Sequence, residues 1–115
     1  TDPYFSKFGE CYFSWVNPGV IKGWYRNKNT SSLLTSPTAN LQVVLYGEHG
    51  VSVVQIVPGN YGLVKIDPGV WYSFKGINDV PALIANLIDK KHDESEREIL
   101  PLGTTEIPFS WDTNE

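Results

Sequence analysis

Apolar and polar positions alternate in short runs along this chain, and turn residues cut each run off before a helical period can establish itself. Cys11 to Val16, Val20 to Arg26, Leu41 to Tyr46, Val51 to Val57, Tyr61 to Ile66, Val70 to Phe74 and Ala82 to Ile88 are five to seven residues long and dominated by β-branched and aromatic side chains. Such side chains suit a pleated, half-buried surface. Pro18-Gly19, Pro58-Gly59 and Pro68-Gly69 mark turns between them. Proline presets φ at the first central position, and glycine takes the positive φ at the second. Short strands with turn signals about every 8–12 residues predict an all-β sandwich or barrel.

Two stretches read differently. Asn27 to Asn40 is polar, carrying Thr30, Ser31, Ser32, Thr35, Ser36 and Thr38, and only Leu33-Leu34 interrupts it. It is a loop, or a loop holding one short strand. Asp89 to Glu98 is the charge-dense stretch, expected as a solvated loop with one helical turn over Glu94 to Leu100. Its carboxylates lack neighbours that would perturb them into acid and base roles. The tail Ile107-Pro108-Phe109-Ser110-Trp111 is apolar enough to pack back onto the body. Trp15, Trp24, Trp71 and Trp111 are expected in core or interface packing, with ligand stacking as the other role open to them.

Length and composition narrow the class. The 115 residues make one domain, 1–115, with 89–115 as a C-terminal segment lying on the body. A net charge of −4 offers no basic track for phosphates, which argues against nucleic acid. Cys11 has no partner for an intrachain disulfide, so a small buried hydrophobe and a cytoplasmic location are expected. Apolar runs fall short of the ~18–20 residues that span a bilayer, so no membrane partner is expected. Thr1-Asp2-Pro3 lacks the features of a signal peptide, and the absence of Met suits a processed product or part of a longer reading frame. His49 sits in a turn and His92 in the charged run, both expected in solvent, so a histidine metal site is not expected. Asp67 and Asp79 sit in turn contexts that use Asp to cap local backbone. No Gly-rich phosphate loop, Ser/His/Asp constellation or Cys cluster is present.

Four ordered segments carry a resemblance. Val20-Ile21-Lys22-Gly23-Trp24-Tyr25-Arg26-Asn27 resembles the first strand motif of the dTDP-4-dehydrorhamnose 3,5-epimerase family. Ile66-Asp67-Pro68-Gly69-Val70-Trp71-Tyr72-Ser73-Phe74 is similar to its Pro-Gly motif, Val80-Pro81-Ala82-Leu83-Ile84 to its next strand, and Glu106-Ile107-Pro108-Phe109-Ser110-Trp111 to its C-terminal segment. The resemblance runs from about Tyr4 to Asp112 and implies a cupin fold: a jelly-roll barrel of two antiparallel sheets with a short C-terminal extension. It also implies a nucleotide-sugar ligand and no cofactor. The family's usual N-terminal strands, which often complete a partner subunit's sheet, are absent before Thr1. A homodimer that hides an open sheet edge is therefore expected.

The family's reaction removes a proton beside a ketone and returns one to the other face, which takes a base and an acid. The resemblance places Tyr25 at the family's base, Tyr72 at its second histidine, Asn86 at its tyrosine acid, and Lys22 at an arginine that anchors substrate. A phenol with pKa near 10 is a poor neutral-pH base, where an imidazole near 6.5 is well suited. An amide cannot act as a general acid. The resemblance thus implies the scaffold with the usual catalysis altered or lost, and no residue is assigned a catalytic role. Related cupins hold a metal with His-x-His in the first motif. Tyr25 and Asn27 stand at that pair and are poor ligands for a transition metal, so no metal is expected. If the motif strands keep the family's register, Tyr25, Asn27, Tyr72 and Asn86 point inward. They then either line a sugar- or nucleotide-binding pocket, or fill an old cavity and satisfy one another; Lys22 either neutralises a phosphate inside the mouth or stands as a solvated strand residue.

Overall fold

The structure is a computed structural model and describes residues 9–90 and 94–111. Its strands are β1 (Glu10–Val16), β2 (Ile21–Asn27), β3 (Ser32–Thr35), β4 (Leu41–Gly47), β5 (Gly50–Ile56), β6 (Val64–Ile66), β7 (Trp71–Gly76), β8 (Ala82–Ile88) and β9 (Arg97–Ile99). The seven expected runs are all strands, though the run from Tyr61 pairs only from Val64. The polar stretch after Asn27 holds β3, built on Leu33-Leu34. In the charge-dense stretch a 3-10 turn at Glu94–Glu96 leads into β9 rather than into an α-helical turn. His92 lies outside the described residues.

Two antiparallel sheets result, with strand orders β1-β8-β3-β6 and β5-β4-β7-β2-β9. They stack face to face as a jelly roll. Among the described residues no strand pairing joins one sheet to the other, so the body is an open sandwich and not a closed barrel. No helix among the described residues is long and apolar enough to cross a membrane.

Strand alternation decides which residues face inward. On β1, Tyr12, Ser14 and Val16 pair with Asn86, Ile84 and Ala82 of β8 and share their inner face. Cys11, Phe13 and Trp15 point out. Cys11 is exposed rather than buried, because the period of two carries it to the solvent side. Trp15 is 59 % exposed for the same reason, and does not join the core.

The five-stranded sheet is apolar on both faces. Between the sheets, Val16, Leu34, Leu41, Val43, Ile56, Val64, Ile66, Phe74 and Ile84 form the main core. On the outer face, Trp24 and Val44 form a second core with Ile107 and Trp111 of the tail. The Trp111 Nε1–H donates to Ser73 Oγ at 2.9 Å, and the Ser73 hydroxyl donates to the Lys22 carbonyl at 2.9 Å. The tail therefore covers the sheet face opposite the one that looks into the sandwich.

Candidate functional site

A β-bulge builds the site. The register between β2 and β7 slips between Gly23 and Tyr25. An extra residue in one strand reverses the facing of the residues beyond it. Trp24 consequently enters the outer core, while Lys22 and Tyr25, three positions apart, both face the interior. Gly23 permits this in two ways. Its φ of +130° is a conformation that side-chain-bearing residues rarely adopt, and a Cβ there would stand 2.8 Å from Ser73 Cβ.

The interior space is a cavity of about 220 Å³ lined by Tyr12, Ser14, Lys22, Tyr25, Leu34, Tyr72, Phe74, Ile84, Asn86 and Arg97. A narrow extension continues past Tyr12, Tyr72 and Arg97 to Asn27, Thr30, Ile88 and Glu96. Lys22, Tyr25, Tyr72 and Asn86 thus meet in one cavity, and Asn27 lines its extension. Neither an imidazole nor a carboxylate is among the ten residues lining the main cavity.

The rings pack in series. Tyr25 and Tyr72 are 5.7 Å apart between centroids, and Tyr72 stacks on Phe74 at 6.5 Å. The Arg97 guanidinium lies 4.5 Å over the Tyr25 ring. Burial is the chief reason that the Tyr72 phenol is pushed up to about 12, with Tyr12 adding to it. The Arg97 charge and a hydrogen bond from the Asn27 side chain pull the other way without reversing it. Burial likewise raises the Tyr12 phenol. Both phenols keep their protons at neutral pH and serve as hydrogen-bonding groups. Asn86 Nδ2 donates to the Tyr12 hydroxyl at 3.2 Å, and Asn86 Oδ1 is buried without a hydrogen-bond partner.

Tyr12 and Arg97 were not singled out from the sequence. Tyr12 carried a signal, since alternation over Glu10 to Val16 puts it on the face of Ser14 and Val16. Arg97 sat in the stretch assigned to solvent, and only its place in β9 turns it inward. Its neighbours are engaged elsewhere. Glu98 meets Arg26 at 2.9 Å, and that hydrogen bond chiefly holds the Glu98 carboxyl below its ordinary range. Glu96 accepts from the Asn29 backbone N–H and from the Thr30 hydroxyl at 2.9 Å; the backbone bond is the main cause of its lowered pKa. These carboxylates hold the β9 segment onto β2 and the loop after it, so their perturbation is structural.

A larger, open cleft of about 520 Å³ lies between the β4–β5 turn and the loop before β7. Its titratable groups are solvated: His49 and Glu48 are 95 % and 88 % exposed, and Lys65 pairs with Asp67 at 3.5 Å. Among the described residues no three His, Cys, Asp or Glu side chains converge as a metal site requires.

A dTDP-sugar isomerase from Desulfovibrio desulfuricans G20 has the same fold, with a TM-score of 0.89 and 41 % identity over 95 % of this chain and 74 % of its own. The chain belongs to the dTDP-sugar isomerase and epimerase family of cupins. Two further proteins are similar in sequence. A probable low-salt glycan biosynthesis epimerase, Agl13 of Haloferax volcanii, is 26 % identical over 87 % of this chain and 70 % of its own. The spore coat polysaccharide biosynthesis protein SpsL of Bacillus subtilis is 27 % identical over 92 % of this chain and 76 % of its own. No family model matches the chain. The interior cavity, where Lys22, Tyr25, Tyr72 and Asn86 meet, is the candidate site.

Proposed function

We propose that the cavity binds a nucleotide sugar and that the proton transfers usual in the family are altered or lost in this chain. One observation carries the reading: three phenols, an amide, Lys22 and Arg97 line the cavity with neither imidazole nor carboxylate among them. Aromatic faces stack on rings, and phenols and amides hydrogen-bond hydroxyl and carbonyl oxygens. Asn86 Oδ1 gives a ligand hydroxyl an acceptor. A phenol also stands beside Asn86, because Tyr12 faces it from β1. Donors able to polarise a carbonyl are therefore at hand. Among the described lining residues neither an imidazole nor a carboxylate is present to take a C–H proton at neutral pH, and burial pushes the Tyr72 phenol up to about 12. Missing a general base costs roughly 10²–10⁴ in rate.

The test is a binding titration with a 4-keto-6-deoxy nucleotide sugar, followed by solvent-deuterium incorporation into that sugar. Saturable binding with little or no incorporation is expected. Absence of binding refutes the ligand. Rapid incorporation that falls on Tyr25→Phe refutes the altered catalysis in favour of an enzyme that works through phenols.

We further propose that the chain is one cupin domain that pairs as a homodimer. Phe13 and Trp15 support this, standing 62 % and 59 % exposed side by side on edge strand β1. Among the described residues β1 is the edge of its sheet, and exposed aromatics there favour association.

A further inference from the structure

We infer that Arg97 reads the negative charge of the ligand, taking the diphosphate at the junction of the main cavity with its extension. This rests on the reading of the cavity as a nucleotide-sugar site, and it adds a residue that determines which ligands enter.

Arg97 lines both the cavity and the extension, so its guanidinium stands where the two meet. Alternation along β9 turns Glu98 away from it, and Glu96, which lines the extension with it, is held by donors of its own. Glu98 is bound to Arg26, and Glu96 to Asn29 and Thr30. Among the described residues Lys22 is the other charged side chain in the main cavity. Among the described residues the lining of that cavity therefore carries two positive charges and no negative one, a balance that favours a multiply charged anion over a neutral sugar.

The orientation also suits an anion. Arg97 lies over the Tyr25 ring at 4.5 Å. Stacking occupies a guanidinium's face and leaves the in-plane N–H donors for oxygen acceptors, which phosphate engages in pairs. Tyr25 thereby acts as a positioning plate for the cation. Arg26, on the outer face, lies over Trp71 at 4.5 Å in a similar way, but Glu98 already takes its donors.

Calorimetry on the full chain compares dTDP, thymidine and inorganic pyrophosphate with wild type, Arg97→Gln and Arg97→Lys. The expected result is dTDP binding about tenfold to a hundredfold weaker in Arg97→Gln, thymidine binding unchanged, and partial recovery in Arg97→Lys. A purely structural role would lower affinity for thymidine and dTDP alike. In parallel, the wild-type Arg97 Nε–H resonance is followed by NMR, which needs no folded variant; it should move as dTDP is added. Equal dTDP affinity in wild type and a folded Arg97→Gln, or an Arg97 resonance unmoved at saturation, overturns the inference while leaving the nucleotide-sugar reading intact. If wild type ignores dTDP but binds pyrophosphate through Arg97, the nucleotide reading falls and the anion role stands. Binding of neither overturns both.

Discussion

Replacing Trp111 by alanine should unfasten the tail from the five-stranded sheet. The indole is 8 % exposed, meets Phe109 edge-on at 5.0 Å, and donates to Ser73 Oγ. A buried aromatic of this kind removes about 200 Å² from water, which at ~25 cal/mol/Å² gives an upper value of about 5 kcal/mol. Large aromatic truncations in cores cost about 3–5 kcal/mol. The hydrogen bond accounts for about 1 kcal/mol of that, because Ser73 keeps its own acceptor in the Lys22 carbonyl. Trp111→Phe, which keeps most of the ring area, should cost about half as much as Trp111→Ala. A domain this size has roughly 5–15 kcal/mol in all, so the alanine variant forfeits a large share. Urea unfolding followed by far-ultraviolet circular dichroism measures it, with the m-value checked for a change in exposed surface. A loss below about 1 kcal/mol for Trp111→Ala would refute the second core as a stabilising element. Equal losses for the two variants would refute the division between area and hydrogen bond.

Two more outcomes are expected. Tyr72 carries a folded-state pKa pushed from 10.0 to about 12, so above pH ~10 the folded chain retains a proton that the unfolded chain loses. Its contribution, roughly 2–3 kcal/mol, is complete below pH ~10 and disappears by pH ~12. Tyr72→Phe should flatten this alkaline limb of the stability profile, and superimposable limbs would contradict the burial argument. Sedimentation equilibrium should return a mass of about two chains, falling toward one when Phe13 and Trp15 are both changed to serine; a wild-type mass near one chain counts against the homodimer.

Much of the sandwich was legible because its strands obey a period of two. Leu41 to Tyr46 and Val51 to Val57 read as strands by their β-branched content, and they pair as β4 and β5. The inward set Tyr25, Tyr72 and Asn86 came from the resemblance. The features that escaped depend on contacts distant in sequence. The short strand β9 exists because it pairs with β2 from Tyr25 to Asn27, and nothing local in Glu96 to Ile99 signals it. Arg97 was hidden for that reason among charges read as solvated. The bulge at Gly23 defeats simple alternation, which would set Lys22 and Tyr25 on opposite faces. Cys11 was misread through its chemistry, although the pattern around it places it outside, and the same pattern keeps Trp15 out of the core. The tail's apolar character was visible in sequence. The face it would choose was not, since that depends on Trp24 being turned outward.

The distribution of aromatic rings gives the molecule two separate optical reporters. Trp24, Trp71 and Trp111 belong to the outer coat, and Trp15 lies on the outside of the other sheet. Tyr12, Tyr25 and Tyr72 surround the hollow. Indole emission will track whether the coat is fastened and will stay nearly silent when the hollow fills. Phenol absorbance will do the reverse, so a titration watched only through tryptophan would mistake an occupied molecule for an empty one.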